Sequence, residues 1–196
     1  MGELSTQGLA LAAACGSKPA AMVLGLEEPQ PLLSAGAVYP TVAPHAGLLD
    51  LGPRGVVGIA VLCAQRALPE WTRLAPDDER PARAIEHAKA ASGGVDQGVL
   101  DDALRAVDGA RSAGTLSAAY AASVAYGCLM WAADFWHRRD VDWGPEDLAY
   151  PLQDCLIRLI VAERELGLPT QATCEWFCAR VRDAALGHAI DVHGSS

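Results

Sequence analysis

Clustered lysine and arginine are missing from this chain. Its 15 Lys and Arg stand against 24 Asp and Glu, a net charge of −9, and no basic run interrupts that balance. Phosphate backbones and anionic membranes are held mainly by grouped cations, so the composition predicts no nucleic-acid partner and no membrane partner. Its field draws in cationic partners and tolerates neutral ones. Catalytic signatures are missing too. No Gly-x-Gly-x-x-Gly follows a strand pattern, and there is no phosphate loop and no Gly-x-Ser-x-Gly elbow. No cofactor is implied. Repeats and low-complexity tracts are absent. The six cysteines, Cys15, Cys63, Cys128, Cys155, Cys174 and Cys178, are scattered, most of them inside apolar helical patterns. That excludes a disulfide framework as the expectation and predicts buried small hydrophobes in a reducing, cytoplasmic setting. Near the start, residues 9–15 are apolar, and Leu11 to Cys15 bears a faint likeness to a lipoprotein cleavage site. Glu3, with no Lys or Arg, precedes that run, which is only seven residues long, so no leader is expected.

What is present points to one folded helical domain. Hydrophobic residues make up 51% and charged residues 20% of 196, enough for a well-buried core. The first 54 residues hold six of the twelve prolines and only six charged residues. They read as an irregular, Pro/Gly-rich apolar arm packed on the core with one or two short helices, one of them over 4–15 and stopped by Gly16 and Pro19. The run 20–26 reads as a strand or a buried turn. A helical domain over 55–193 follows, and 194–196 form a disordered tail. Its first helix spans 55–68 and ends before Pro69, with Val57, Ala60, Val61 and Ala64 as its stripe. Asp78 is placed to cap the next helix, which runs to Ala91 and stops at Gly93 and Gly94. Leu100, Ala103, Leu104 and Val107 form the core-facing stripe of the one after. Residues 117–136 approach membrane-spanning length, but they are Ala-rich and contain Asp134, so they read as the buried central helix of a bundle. Pro151 kinks or restarts the helix that carries Leu152, Cys155, Leu156, Leu159 and Ile160. Cys174, Phe177, Cys178, Val181 and Ala185 mark the last one. The fold class is all-α, a bundle of six or seven helices.

Four clusters are candidate sites, each with a plain structural alternative. Asp77, Asp78, Glu79 and Arg80 meet a cation or a basic partner, or else they simply cap a helix and complement its dipole. His137, Arg138, Arg139, Asp140 and Asp142, between Trp136 and Trp143, form the densest mix of acid, base and aromatic groups. There Arg138 or Arg139 would clamp an anion, His137 would move a proton, and the Trp pair would wall a pocket. The alternative is a solvated loop with anchored Trp residues. Tyr120, Tyr126, Met130, Trp131 and Phe135 would line a cavity for a flat apolar molecule with Asp134 as a buried acid, or they are core packing. Cys174 and Cys178, one turn apart with Glu175 beside them and His188 beyond, have the spacing of two metal ligands. Their place on the apolar stripe favours packing, and no metal is expected. No role falls to His87 or His45.

From Cys63 onward, Leu62-Cys63-Ala64-Gln65, the block Pro76-Asp77-Asp78-Glu79-Arg80-Pro81 with Ala84-Ile85-Glu86, and the Ala-rich helices behind it resemble a bacterial helical family of immunity proteins associated with polymorphic-toxin systems. The resemblance covers residues 63–136. Where that family carries histidines in its third helix, Tyr120, Tyr126 and Cys128 stand here. The resemblance implies an acidic binding protein that neutralises or sequesters a toxin or other bioactive molecule. Asp77, Asp78, Glu79, Asp96, Asp101 and Asp102 would then be its contact surface, since opposite fields speed encounter with a basic toxin. The alternative is a small cofactor-independent enzyme or ligand-binding protein of bacterial specialised metabolism, an isomerase, cyclase or hydrolase. In it His137 is the general acid/base, Asp134 or Asp140 its orienter, and Trp136, Arg138, Arg139, Trp143, Tyr126 and Trp131 bind a small apolar ligand. A third reading makes the apolar arm a clasp in a homo- or hetero-oligomer.

Overall fold

A computed structural model describes residues 5–36, 38–90 and 94–187. The fold is all-α. Among the described residues there are eight helices: α1 (Thr6–Ala14), α2 (Lys18–Val23), α3 (Leu48–Leu74), α4 (Arg80–Ala90), α5 (Gln97–Ser112), α6 (Leu116–His137), α7 (Pro145–Glu165) and α8 (Thr170–Ala185). Two-residue strands β1 (Leu33–Ser34) and β2 (Thr41–Val42) pair antiparallel between α2 and α3.

The Pro-rich segment supplies two helices because Ser5 and Ser17 each cap one. Ser5 Oγ accepts from Gly8 N–H at 2.8 Å and Ser17 Oγ from Ala20 N–H at 3.4 Å. Residues 20–23 therefore belong to α2 and not to the strand or buried turn expected there. Gly16, at φ +85°, ends α1. Leu11, Leu32 and Val42 join the main core, and Gln153 of α7 fixes the hairpin by accepting from Val42 N–H and donating to the Pro40 carbonyl. Residues 194–196 lie outside the described residues.

Two proline-based boundaries need correction. Gly52, at φ 59° and ψ −179°, breaks the start of α3, and Pro53 opens the continuous helix behind it. That helix passes through Pro69, before which the sequence predicts a stop, and runs on to Leu74. A helical proline forfeits one backbone hydrogen bond and costs about 3 kcal/mol. The turn beyond it offsets that cost by burying Glu70 and Trp71. The Trp71 indole N–H donates to the Asp78 carbonyl at 2.7 Å, and Arg73 holds Glu70 with two bonds of 2.8 and 2.9 Å. Pro151 is likewise buried inside an uninterrupted α7. On α5 the buried stripe is Val99, Ala103, Ala106, Val107 and Ala110, while Leu104 is exposed, so the core face is rotated from the one expected.

α6 is central. It packs against α3, α4, α5 and α7, and small residues such as Ala118, Ala121, Ala122 and Ala125 let those helices approach closely. α3 and α6 are both long and apolar enough to cross a membrane by length and composition, but 67% of α6's most apolar window is buried by its neighbours. Cys63, Cys128 and Cys155 are fully buried thiols of this core, and burial pushes all three up.

Glu70 and Asp78 link electrostatics to stability. The hydrogen bonds from Arg73 and from Arg80 hold the two carboxyls below the usual carboxylate range. A folded pKa below the unfolded one gives stability that is present above the unfolded value and is lost as pH falls through the folded one. Thermal midpoints are expected to stay level from pH 7 to about 5 and to drop below about 4. Glu70→Gln is expected to cost about 1–2 kcal/mol at pH 7 and close to nothing at pH 3. A parallel fall of both proteins across that window would remove the assignment.

Candidate functional site: an acidic cleft between α6 and α7

The C-terminal half of α6 and the N-terminal half of α7 flank an open cleft of about 370 Å³ lined by Trp131, Asp134, Arg138, Glu146, Asp147 and Tyr150. Spacing explains the lining. Trp131, Asp134 and Arg138 stand at i, i+3 and i+7 on α6, hence on one face. Asp147 and Tyr150 stand at i and i+3 on α7, which starts with Pro145 at its first position and Glu146 and Asp147 in its first turn, where carboxylates suit the helix dipole.

The aromatic wall is held from behind. Gly127 leaves room for the Arg158 side chain, whose Cδ and Nε would come within 3.3 Å of a Cβ placed there. Arg158 Nε meets both carboxylate oxygens of Asp154 at 2.9 Å, and its Nη1 reaches the Ser123 carbonyl at 3.4 Å. Asp154 Oδ2 accepts from the Trp131 indole N–H at 3.0 Å, and Trp131 meets the Tyr150 ring edge-on at 5.5 Å between centroids. Gly127, Arg158, Asp154 and Trp131 thus form one chain of contacts that sets the ring facing the cleft. Tyr150 is 65% exposed, an unusual state for so large a ring.

The polar side is acidic. Arg138 reaches Asp134 Oδ2 and Asp147 Oδ1, each at 3.5 Å, and its guanidinium lies 4.4 Å above the Trp143 ring, which rests edge-on against Phe135. Asp147 also accepts from Gly144 N–H at 3.0 Å, which fixes the helix start. Three carboxylates against one guanidinium leave the cleft with two excess negative charges. The single cation is already engaged on three sides, so the cleft suits a guanidinium or an ammonium better than an anion.

The other expected site residues scatter. Trp136 faces Gly94, whose Cβ would fall 3.0 Å from its Nε1, and Arg139 stacks on it at 4.6 Å while pairing with the exposed Asp140 at 3.9 Å. Trp136 and Trp143 therefore do not wall one pocket. Of His137, Asp134 and Asp140, only Asp134 lines the cleft, and no hydrogen bond connects the exposed His137 to either acid among the described residues. Tyr120, Tyr126 and Met130 are half-buried and line neither of the two clefts described. Asp134 is not a buried acid, since about a third of its side chain is open.

On the α4–α5 surface, Asp78 pairs with Arg80 and Asp102 with Arg105. The Arg105 hydrogen bond holds Asp102 below the usual carboxylate range, with Arg83 and Arg80 adding to it. Asp101 accepts from Gln97 at 2.8 Å, and Asp96 caps α5 by accepting from Gly98 N–H at 2.7 Å. Asp77 and Glu79 are exposed. This surface is a mosaic of both signs and not a continuous acidic field. Among the described residues no three His, Cys, Asp or Glu side chains are grouped to hold a metal. His188, the further ligand considered for Cys174 and Cys178, lies outside the described residues.

Sequence reasoning missed Glu146, Asp147, Tyr150, Asp154 and Arg158. The signal was the i, i+3, i+7, i+11 row Asp147, Tyr150, Asp154, Arg158 on α7, a polar and aromatic stripe beside the apolar one. No protein-family model matches this chain, and neither does any curated protein or solved structure.

Proposed function

We propose that this chain is an acidic helical binding protein that neutralises or sequesters a cationic partner, as its resemblance to immunity proteins implies. The α6–α7 cleft receives the partner's arginine or lysine side chains. The observation that supports this most is the pairing of excess carboxylate with an exposed aromatic ring whose neighbour is held in place from behind. Carboxylates supply steering and charge pairing, and a ring face accepts a guanidinium or ammonium directly. The exposed Asp77, Glu79 and Asp101 would add a second, weaker contact, since Asp78 and Asp102 are already neutralised by arginine.

Glu146 is the clean residue to test, because it is exposed and forms no ion pair among the described residues. An arginine-rich peptide serves as the probe, with binding followed by calorimetry at low and physiological salt. Glu146→Lys is expected to weaken binding about tenfold at low salt and less at high salt. Tyr150→Ala is expected to weaken it several-fold at both. An Asp101→Lys/Asp102→Lys double variant is expected to lose less than Glu146→Lys alone. Affinity unchanged by Glu146→Lys and Tyr150→Ala, or preference for a polyanion over the basic peptide, would sink the reading.

A further inference from the structure

A second cleft, of about 340 Å³, opens where α1 meets α8 and gathers three of the six cysteines: Cys15, Cys174 and Cys178, with Leu33, Glu175 and Arg182. Cys15 closes the C-terminus of α1, and Cys174 and Cys178 lie one turn apart on α8. All three are free thiols. Cys15 on α1 and Cys178 on α8 line this one cleft, so the packing of α1 on α8 brings together two thiols from opposite ends of the chain. Their mutual influence makes them unequal. Interaction with Cys178, together with burial, pushes the Cys15 thiol up. Interaction with Cys15, with the Arg182 guanidinium one turn further along, holds Cys178 below the ordinary thiol value. Cys174 is raised by burial, with Cys178 and Glu175 adding to it. The remaining thiols, Cys63, Cys128 and Cys155, are sealed in the core.

We propose that Cys15 and Cys178 form a peroxide-oxidisable dithiol in this cleft, in which Cys178 attacks a hydroperoxide and Cys15 resolves the product to a disulfide joining α1 to α8. The Cys178 thiolate attacks one peroxide oxygen. An S–O bond forms, the O–O bond breaks, and the departing oxygen takes a proton and leaves as water. Cys15 sulfur then attacks the sulfenic sulfur. The S–S bond forms, the S–O bond breaks, and the hydroxide takes the Cys15 proton and leaves as a second water. Two thiols lose two electrons, and hydrogen peroxide gains them. Cys174 is no substitute for Cys15. At i, i+4 on one helix, Cβ atoms stand about 5–6 Å apart, beyond the roughly 3.8 Å a disulfide needs. The α1–α8 contact brings in a sulfur from a different element, so no helix has to unwind.

The test uses the full-length protein, reduced, freed of oxygen, and exposed to near-stoichiometric hydrogen peroxide. Intact mass and non-reducing peptide mapping read the product. The expected result is loss of two hydrogens, mapped to Cys15–Cys178 and reversed by dithiothreitol, with Cys178 consumed at least about tenfold faster than Cys174. Cys15→Ala is expected to abolish the disulfide and leave a sulfenic acid at Cys178 that dimedone traps. Cys178→Ser is expected to leave Cys15 unreacted over the same period. The wild-type map decides the pairing even if Cys15→Ala fails to fold. A Cys174–Cys178 disulfide, or equal consumption of Cys174 and Cys178 with no Cys15 cross-link, would overturn the proposal.

Discussion

Glu163→Ala is expected to lower stability by about 3–5 kcal/mol, the range for stranding one partner of a buried ion pair. Glu163 lies on α7 with 6% of its side chain exposed. One carboxylate oxygen accepts from Arg66 Nε on α3 and the other from the Thr173 hydroxyl on α8. The Arg66 guanidinium also lies 4.6 Å over the Trp176 ring. One carboxylate thus joins three helices and satisfies two donors. Its loss leaves the Thr173 hydroxyl, which is 1% exposed, without that partner, and leaves Arg66 with only an aromatic face. Arg66 retains a partial route to water, at 29% side-chain exposure, which places the expected value toward the lower end. For a chain of this size, 3 kcal/mol lowers the thermal midpoint by about 10 °C. Glu163→Gln keeps the shape and one acceptor and is expected to lose about half as much. Urea unfolding measures both. A loss under about 1 kcal/mol for the alanine variant would mean that Arg66 and Thr173 find water in its place, and the network would then contribute little.

Phe177→Ala is expected to cost about 3–5 kcal/mol for a different reason, the cavity left by a ring in close-packed surroundings. Phe177 is fully buried and belongs to the main core cluster. α8 buries only Thr173, Phe177 and Val181, at i, i+4 and i+8, so one narrow stripe docks the helix on α1, α3 and α7. Phe177→Leu retains most of the volume and is expected to lose about 1–1.5 kcal/mol. Because Glu163 and Phe177 hold the same helix, the double alanine variant is expected to lose less than the sum of the singles. Hydrogen exchange adds a second reading. In either single variant, α8 amides are expected to exchange faster than those of α6, which is enclosed by four helices. Uniform loss of protection throughout the chain would show instead that α8 does not open separately.

The two positions differ in how far their role can be read along the chain. Phe177 is legible as an apolar residue on a helical stripe. Glu163 reads as an ordinary surface acid, because nothing local announces that Arg66 and Thr173 converge on it from residues 97 and 10 positions away. The same limit applies to the candidate site. Trp131, Asp134 and Arg138 were individually conspicuous, and their spacing placed them on one face. What that face meets depended on how α7 packs, and α7 brings two carboxylates and a ring that turn an expected anion clamp into an acidic cleft. Trp136 and His137, as conspicuous in sequence, were carried away from the cleft by the rotation of one or two residues along α6.

Local chemistry in the sequence by itself determined the all-α class, the central place of α6 and the starts of α1, α4 and α6, because periodicity, an aspartate at a helix entrance and turn-forming glycines act within a few residues. Tertiary structure alone decided the helical course through Pro69 and Pro151, the rotation of α5 that exposes Leu104, the meeting of Cys15 and Cys178 in one cleft and the sign of the α6–α7 cleft. A proline's local cost is a few kcal/mol, and burial of Trp71 or Leu152 beyond it is of similar size. The outcome therefore depends on surfaces supplied by distant parts of the chain.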